Sequence, residues 1–364
     1  MGKGWHILRR VAALLVFLLT LYLGQRAFTE ASGTSTPSPT VNLWPATKAY
    51  EGPFWSAYFT LPERPEAQEG YGGLDQILAQ VVGLARQEVL VAVYALDSYR
   101  ILDALRDAAR SGATVRVVLG QVEVQTIAAL EEAGIPVVVA PQEGGYMHHK
   151  FLVVDQSEVW TGSMNFTFAG AYRHNNHLVR LFSSHLAANY AREFDEMFRL
   201  RVFGRGSSLT TPYPQVKVQG ILVETYFLPE EAALPRLVAL TREAREEVLF
   251  LAFSFTSDDV AEAMLERHHA GVRIRGVMEA EQVGQGSEYH RLREAGVDVR
   301  LDGNPEAMHH KVLVWDRRIV AFGSYNFSQR AETVNDENLL IIHDPALAAA
   351  FVQEFERLYA QARK

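Results

Sequence analysis

The chain has 364 residues, 48% hydrophobic and 21% charged, with a formal net charge of −8 and no cysteine. This is a folded globular composition long enough for two domains, and it excludes collagen-like and wholly disordered classes. Without cysteine there is no disulfide, thiolate metal site or thiol nucleophile, and the acidic balance disfavours a protein that coats nucleic acid.

The first segment, residues 1–31, places Lys3, Arg9 and Arg10 before an apolar or neutral run over 11–24. A membrane span needs ~20 apolar residues, so this shorter run reads as a signal peptide or an uncleaved anchor. Either one leaves the three cations inside and exports the rest. Residues 32–44 follow as a Ser/Thr/Pro linker. The leader holds four basic residues and one acidic residue, so the exported remainder is near −11.

The body is one unit written twice, 45–203 and 220–364, with 204–219 as the joint. Gln87-Glu88-Val89-Leu90 answers Glu246-Glu247-Val248-Leu249, and Met147-His148-His149-Lys150 answers Met308-His309-His310-Lys311. In each copy, apolar spacing predicts a first helix, at Leu74, Ile77, Leu78 and Val81 and again at Leu234, Leu237 and Val238. Buried strands follow over 89–95 and 248–255, then helices over 101–110 and 260–270 that stop at Gly112 and Gly271. Strands are next predicted at 115–119 and 274–278. Further ones fall near 136–140, 149–154, 158–161 and 177–182, and in the second copy about 161 residues later. Helices over 186–198 and 347–359 close the copies. Alternating helices and apolar strands imply an α/β fold with each sheet covered on both faces.

Both copies fit H-x-K-x4-D-x6-G-S-x-N. His148, Lys150, Asp155, Ser163 and Asn165 fill the first, and His309, Lys311, Asp316, Ser324 and Asn326 the second. Six fixed positions arise by chance with odds on the order of 10⁻⁸ per start site. On an extended strand, residues i and i+2 share a face, so each motif histidine lies beside its lysine, and the turn before the glycine returns Ser and Asn alongside. An imidazole, an ammonium and amide donors on one surface suit a phosphate oxyanion. Two such half-sites face to face give one histidine to attack phosphorus and another to protonate the departing oxygen.

This pattern resembles the paired HKD motifs of the phospholipase D superfamily. The resemblance implies two tandem α/β/α sandwich domains related by pseudo-twofold symmetry, with one active site at their interface. It implies a phosphohistidine intermediate without metal or other cofactor, His148 as nucleophile and His309 as acid and base. Lys150, Lys311, Asn165 and Asn326 match the family's phosphate-binding positions, with Ser163 and Ser324 close by, and Asp155 and Asp316 support the motif. Family copies commonly carry a Glu about eleven residues past the motif Asn that orients an imidazole; copy two has Glu337, whereas copy one has Asn176. A neutral partner supports an imidazolium less, so the two histidines are expected to differ in basicity.

Competing readings narrow this. A metal held by His148, His149, His309 and His310 is disfavoured, because alternate strand residues send His149 and His310 into the core. His174-Asn175-Asn176-His177 and His268-His269 read as loop and helix surface, and Phe166, Phe327, Trp160 and Trp315 as core, with Tyr146 the exception. The expected activity is that of a monomeric, exported phospholipid phosphodiesterase held at the extracytoplasmic membrane face by its N-terminal segment. The alternatives are an exported endonuclease of the same superfamily and a cardiolipin-synthase-like phosphatidyltransferase.

Overall fold

A computed structural model describes residues 44–206 and 210–363. The predicted leader and residues 32–43 lie outside them, and no described helix is long and apolar enough to cross a membrane. Copy one contains the hairpin β1 (Thr47–Glu51) and β2 (Trp55–Thr60), then β3 (Glu88–Val93), β4 (Thr114–Leu119) and β5 (Val137–Val139). It continues through β6 (Lys150–Val154), β7 (Glu158–Gly162), the short β8 (His174–Asn175) and β9 (His177–Phe182). Copy two repeats the series: β10 (Gln215–Val218), β11 (Ile221–Leu228), β12 (Glu247–Ala252), β13 (Arg273–Met278), β14 (Asp298–Leu301), β15 (Ala307–Met308), β16 (Lys311–Trp315), β17 (Ile319–Gly323) and β18 (Glu337–Ile342).

Each copy forms one mixed sheet, ordered β1-β2-β9-β7-β6-β3-β4-β5 and β10-β11-β18-β17-β16-β12-β13-β14. β3, β4 and β5 run parallel, linked through helices Tyr99–Arg110 and Val124–Glu132, and β6 joins β3 antiparallel. The continuous apolar runs of the central strands follow from burial on both faces. In β3, Leu90 and Ala92 enter one core while Val89, Val91 and Val93 enter another. The first of these cores is shared by both sheets and by the closing helices Ser184–Asp195 and Pro345–Gln361. There Phe59 meets Phe351 edge to face at 5.1 Å, and Tyr190 meets Phe227 at the same distance. Loss of a ring such as Phe351, fully buried, costs ~3–5 kcal/mol. The outer face of each sheet is covered by a helix pair, Leu74–Leu84 with Tyr99–Arg110 and Leu234–Glu243 with Asp258–His269. The fold is therefore α/β: two tandem α/β/α sandwiches packed about a pseudo-twofold axis.

Three sequence readings are corrected. A hairpin, not a helix, opens each copy, because Trp55–Thr60 and Ile221–Leu228 are half covered by the shared core. The joint 204–219 ends in β10, which pairs with β11 and so belongs to the second sheet. His177 is fully buried in β9 rather than in a surface loop.

Candidate active site

The motif's architecture starts at the tight turns that follow β6 and β16. Asp155 and Gln156, like Asp316 and Arg317, have φ between 48° and 55°, a left-handed pair within the three-residue turns 155–157 and 316–318. The Asp155 carboxylate accepts the N–H groups of Arg86, Gln87 and Glu88, and Asp316 those of Arg245, Glu246 and Glu247. Partial burial pushes these carboxyls up, but the amide donors more than offset it and hold both below the usual range. They lock each motif strand to the start of its central neighbour and touch nothing at the histidines. The motif glycine allows β7 and β9 to close: a Cβ on Gly162 would lie 2.3 Å from the His177 carbonyl oxygen.

Ahead of the motif strands the two copies exchange backbone. The His148 N–H donates to the Asp336 carbonyl and the His309 N–H to the Asn175 carbonyl, both at 2.9 Å. β15 pairs in parallel with β8, and Met147 bridges Asp336 in the same way. The residue after each crossing point therefore reaches the other copy's histidine. His148 Nδ1 lies 2.8 Å from Glu337 Oε2, and His309 Nδ1 lies 3.0 Å from Asn176 Oδ1. Each copy thus orients the imidazole of the other.

The surrounding hydrogen bonds set the tautomers. Glu337 only accepts, so His148 carries its proton on Nδ1. Asn176 Nδ2 donates to the Gly170 carbonyl at 2.9 Å, which turns Oδ1 toward His309 and places that proton on Nδ1 as well. No hydrogen bond among the described residues engages either Nε2, so both imidazoles present a free nitrogen. Lys150 Nζ donates to the His148 carbonyl at 2.6 Å and Lys311 Nζ to the His309 carbonyl at 2.8 Å, leaving each ammonium two further donors. Tyr94 flanks His148 at 5.3 Å and Phe253 flanks His309 at 4.7 Å, each with the neighbouring lysine over its ring. These two aromatics went unnoticed in the sequence, where they follow the first central strand of each copy at matching positions.

Burial dominates the electrostatics. It pushes His148 down to about 4, opposed by Glu337 and reinforced by Lys150 and Lys311. His309 is also driven well below its ordinary value, by burial first and then by Lys311, Lys150, His174 and His148, and its hydrogen-bond partner is a neutral amide. Burial lowers Lys150 to about 7, and burial with Lys150 lowers Lys311 well below its ordinary value. Glu337 stays below the usual range, because His148, Lys150 and Ser324 outweigh its desolvation. Two buried ammonium groups and two imidazoles that depress one another form a site short of negative charge, which an anion would relieve.

The structure corrects the expectation for the serines. Ser163 Oγ donates to Asn176 Oδ1 at 2.7 Å and Ser324 Oγ to Glu337 Oε2 at 2.6 Å, and both residues are fully buried. They hold the histidines' partners from beneath instead of facing phosphate. Asn165 and Asn326 are half-buried, and the Oδ1 of each is enclosed without a partner. His149 and His310 do point inward, to Glu193 at 2.8 Å and Glu354 at 3.2 Å. The surface reading of 174–177 fails, since Asn176 and His177 are buried and His177 stacks on His310. Phe166, Phe327, Trp160 and Trp315 are core, and half-exposed Tyr146 carries the Arg330 guanidinium at 4.7 Å. Among the described residues, three carboxyls within 4.8 Å of one another could hold a cation, Glu193, Glu196 and Glu230, and they include neither free imidazole.

Comparisons with known proteins agree with this geometry. The domain family described as "Cardiolipin synthase, PLD-like domain" matches twice, over residues 78–198 and 237–359. A mitochondrial cardiolipin hydrolase of Chlamydomonas reinhardtii is 32% identical over 167 residues, which are 39% of this chain and 75% of that protein. The Homo sapiens protein of the same name is 37% identical over 132 residues, 36% of this chain and 52% of its own length. The match thus spans about half of the human relative. A phosphatidylserine synthase of Haemophilus influenzae shares the fold, with a TM-score of 0.61 over 80% of this chain and 87% of that one at 14% identity.

Proposed function

Because this chain belongs to the phospholipase D-like family, we propose that it is a phosphodiesterase that cleaves phospholipid phosphodiester bonds through a phosphohistidine on His148. The observation that carries this is the pair of free Nε2 atoms, one imidazole backed by Glu337 and the other by Asn176. His148 Nε2 attacks phosphorus while Lys150 and Lys311 neutralise the non-bridging oxygens and Asn165 and Asn326 donate to them. The imidazole that forms the P–N bond gains positive charge, and Glu337 meets that charge, which is why His148 is assigned as nucleophile. The P–O bond to the alcohol breaks, and His309 Nε2–H gives its proton to the departing oxygen. Water then enters, loses a proton to His309, attacks phosphorus and frees His148. His309 holds its second proton only beside an anion, so binding of the phosphate itself readies the acid.

Lipid is preferred to nucleic acid because the body beyond the leader is acidic, and a single headgroup needs only the local lysines. Metal independence follows from the same lysines, which do the work a cation would do. The test is product analysis of the full chain on phospholipid in mixed micelles, with single-stranded DNA as competitor. His148→Ala and His309→Ala should each reduce turnover by at least ~10³. Excess chelator should leave the wild type active. Faster cleavage of DNA than of lipid, abolished by His148→Ala, would replace the lipid reading with a nuclease.

A further inference from the structure

Beside His309 lies a cavity of about 220 Å³ whose walls include His309, Asn165, Phe253, Glu279, Glu281 and Glu306. His148 is not among its lining residues, so the space belongs to the His309 side of the reaction. Two features other than its acidity point to a ligand. His309 is 8% exposed and bonds only through Nδ1 to Asn176, which leaves a buried imidazole edge unpartnered at the cavity. Asn165 Oδ1 is likewise enclosed and unpaired. Glu279 is buried, and the N–H groups of Glu281 and Met308 hold its carboxylate in place. Glu281 and Glu306 are exposed at the rim, where Arg173 pairs with Glu306 at 3.7 Å.

We propose that this cavity receives the departing alcohol, and that its carboxylates and the Phe253 ring select a cationic amino-alcohol headgroup over an anionic one. The inference rests on His309 as the proton donor, since the oxygen it protonates must sit at its free Nε2 and the rest of the alcohol must extend into the adjoining space. The volume equals that of ~7 liquid waters, enough for an ethanolamine or a choline. An ammonium gains from carboxylates within a few ångströms and from an aromatic face. An anionic headgroup meets the same carboxylates as repulsion. In cardiolipin the departing alcohol carries a second phosphate, so this chain should handle that lipid poorly.

The experiment measures kcat/KM of the full chain in mixed micelles for phosphatidylcholine, phosphatidylethanolamine, phosphatidylglycerol and cardiolipin. Bis(p-nitrophenyl) phosphate, which has no headgroup, is run beside them. The wild type should favour the two cationic headgroups by about 5- to 30-fold, the worth of one or two partly screened ion pairs. Glu281→Gln and Glu306→Gln should each shrink that preference about threefold, mainly through KM, and Glu281→Lys should shrink it further. Because both residues are exposed, these variants test charge without opening the core. A preference for cardiolipin in the wild type, or a headgroup ratio untouched by all three substitutions while bis(p-nitrophenyl) phosphate is still cleaved, overturns the proposal. Failure to cleave any of the diesters instead removes the proposed reaction, and the headgroup cavity falls with it.

Discussion

The two half-sites share one backbone plan and differ in the group that orients each imidazole. Around His148 the orienting group is the Glu337 carboxylate, steadied by Ser324 and by Asn335 Nδ2 at 3.1 Å. Around His309 it is the neutral Asn176 amide, steadied by Ser163 and the Gly170 carbonyl. Burial and the two lysines lower both imidazoles, His174 bears on His309 as well, and only His148 has the Glu337 carboxylate to oppose them directly through a hydrogen bond. The contrast shows how one substitution on a repeated scaffold can give the same side chain two tasks. In the proposed reaction one imidazole carries a positive charge through an intermediate and the other releases its proton.

The sharpest way to break this comparison is to erase it. Glu337→Gln removes a charge-assisted bond worth ~1.5–3 kcal/mol, so turnover should fall about 10- to 100-fold. Asn176→Ala removes a neutral bond worth ~0.5–1.5 kcal/mol and should cost about tenfold at most. Equal losses from the two variants in single-turnover kinetics would mean that the histidines are not differentiated.

Acid stability separates the half-sites next. A histidine held below its unfolded value of ~6.5 leaves the fold fully stable above that pH and takes stability away as pH falls toward its folded value. For His148 that window runs from ~6.5 down to about 4, and His309, whose orienting partner is a neutral amide, is also lowered well below its ordinary value. Urea midpoints should therefore fall between pH 7 and pH 4.5, and His309→Ala should flatten the decline more than His148→Ala. A steeper decline in His309→Ala than in His148→Ala would mean that the orienting partners do not set the two imidazoles apart in this way.

The smallest difference is expected at the turns. Asp155→Ala and Asp316→Ala each remove a carboxylate that accepts three amides, a loss of ~2 kcal/mol in unfolding free energy in both copies. If one of them changed kcat but not stability, its carboxylate would have a part in the chemistry that its position does not suggest.

Much of this was legible in the sequence because strand spacing is rigid. A histidine two residues from a lysine on an extended segment has little freedom, whereas Asn165 lines the cavity beside His309 of the other copy. The inward direction of His149 and His310 follows from the same alternation. What the spacing could not reveal is which copy a side chain serves. Repetition matches Asn176 with Glu337 as equivalent positions, whereas the backbone exchange at β8 and β15 sends each to the opposite histidine. Ser163 and Ser324 turn to Asn176 and Glu337 for a related reason. Alternation gives the face of a residue but not the layer that lies over it. His177 sits among polar neighbours and reads as loop, yet the shared core closes over it only when the second copy is present.

The backbone exchange also bears on how such a chain can change. Two identical subunits related by true symmetry would carry the same residue at both orienting positions, so neither could be altered without the other. Fusing the copies into one chain breaks that tie. Of the two motif histidines, a side-chain substitution at position 176 removes the partner of His309, while Glu337 keeps its own charge for His148. Asymmetry of this kind is open to a fused pair and closed to a homodimer. A half-chain expressed alone would hold a reactive histidine without the group that aims it.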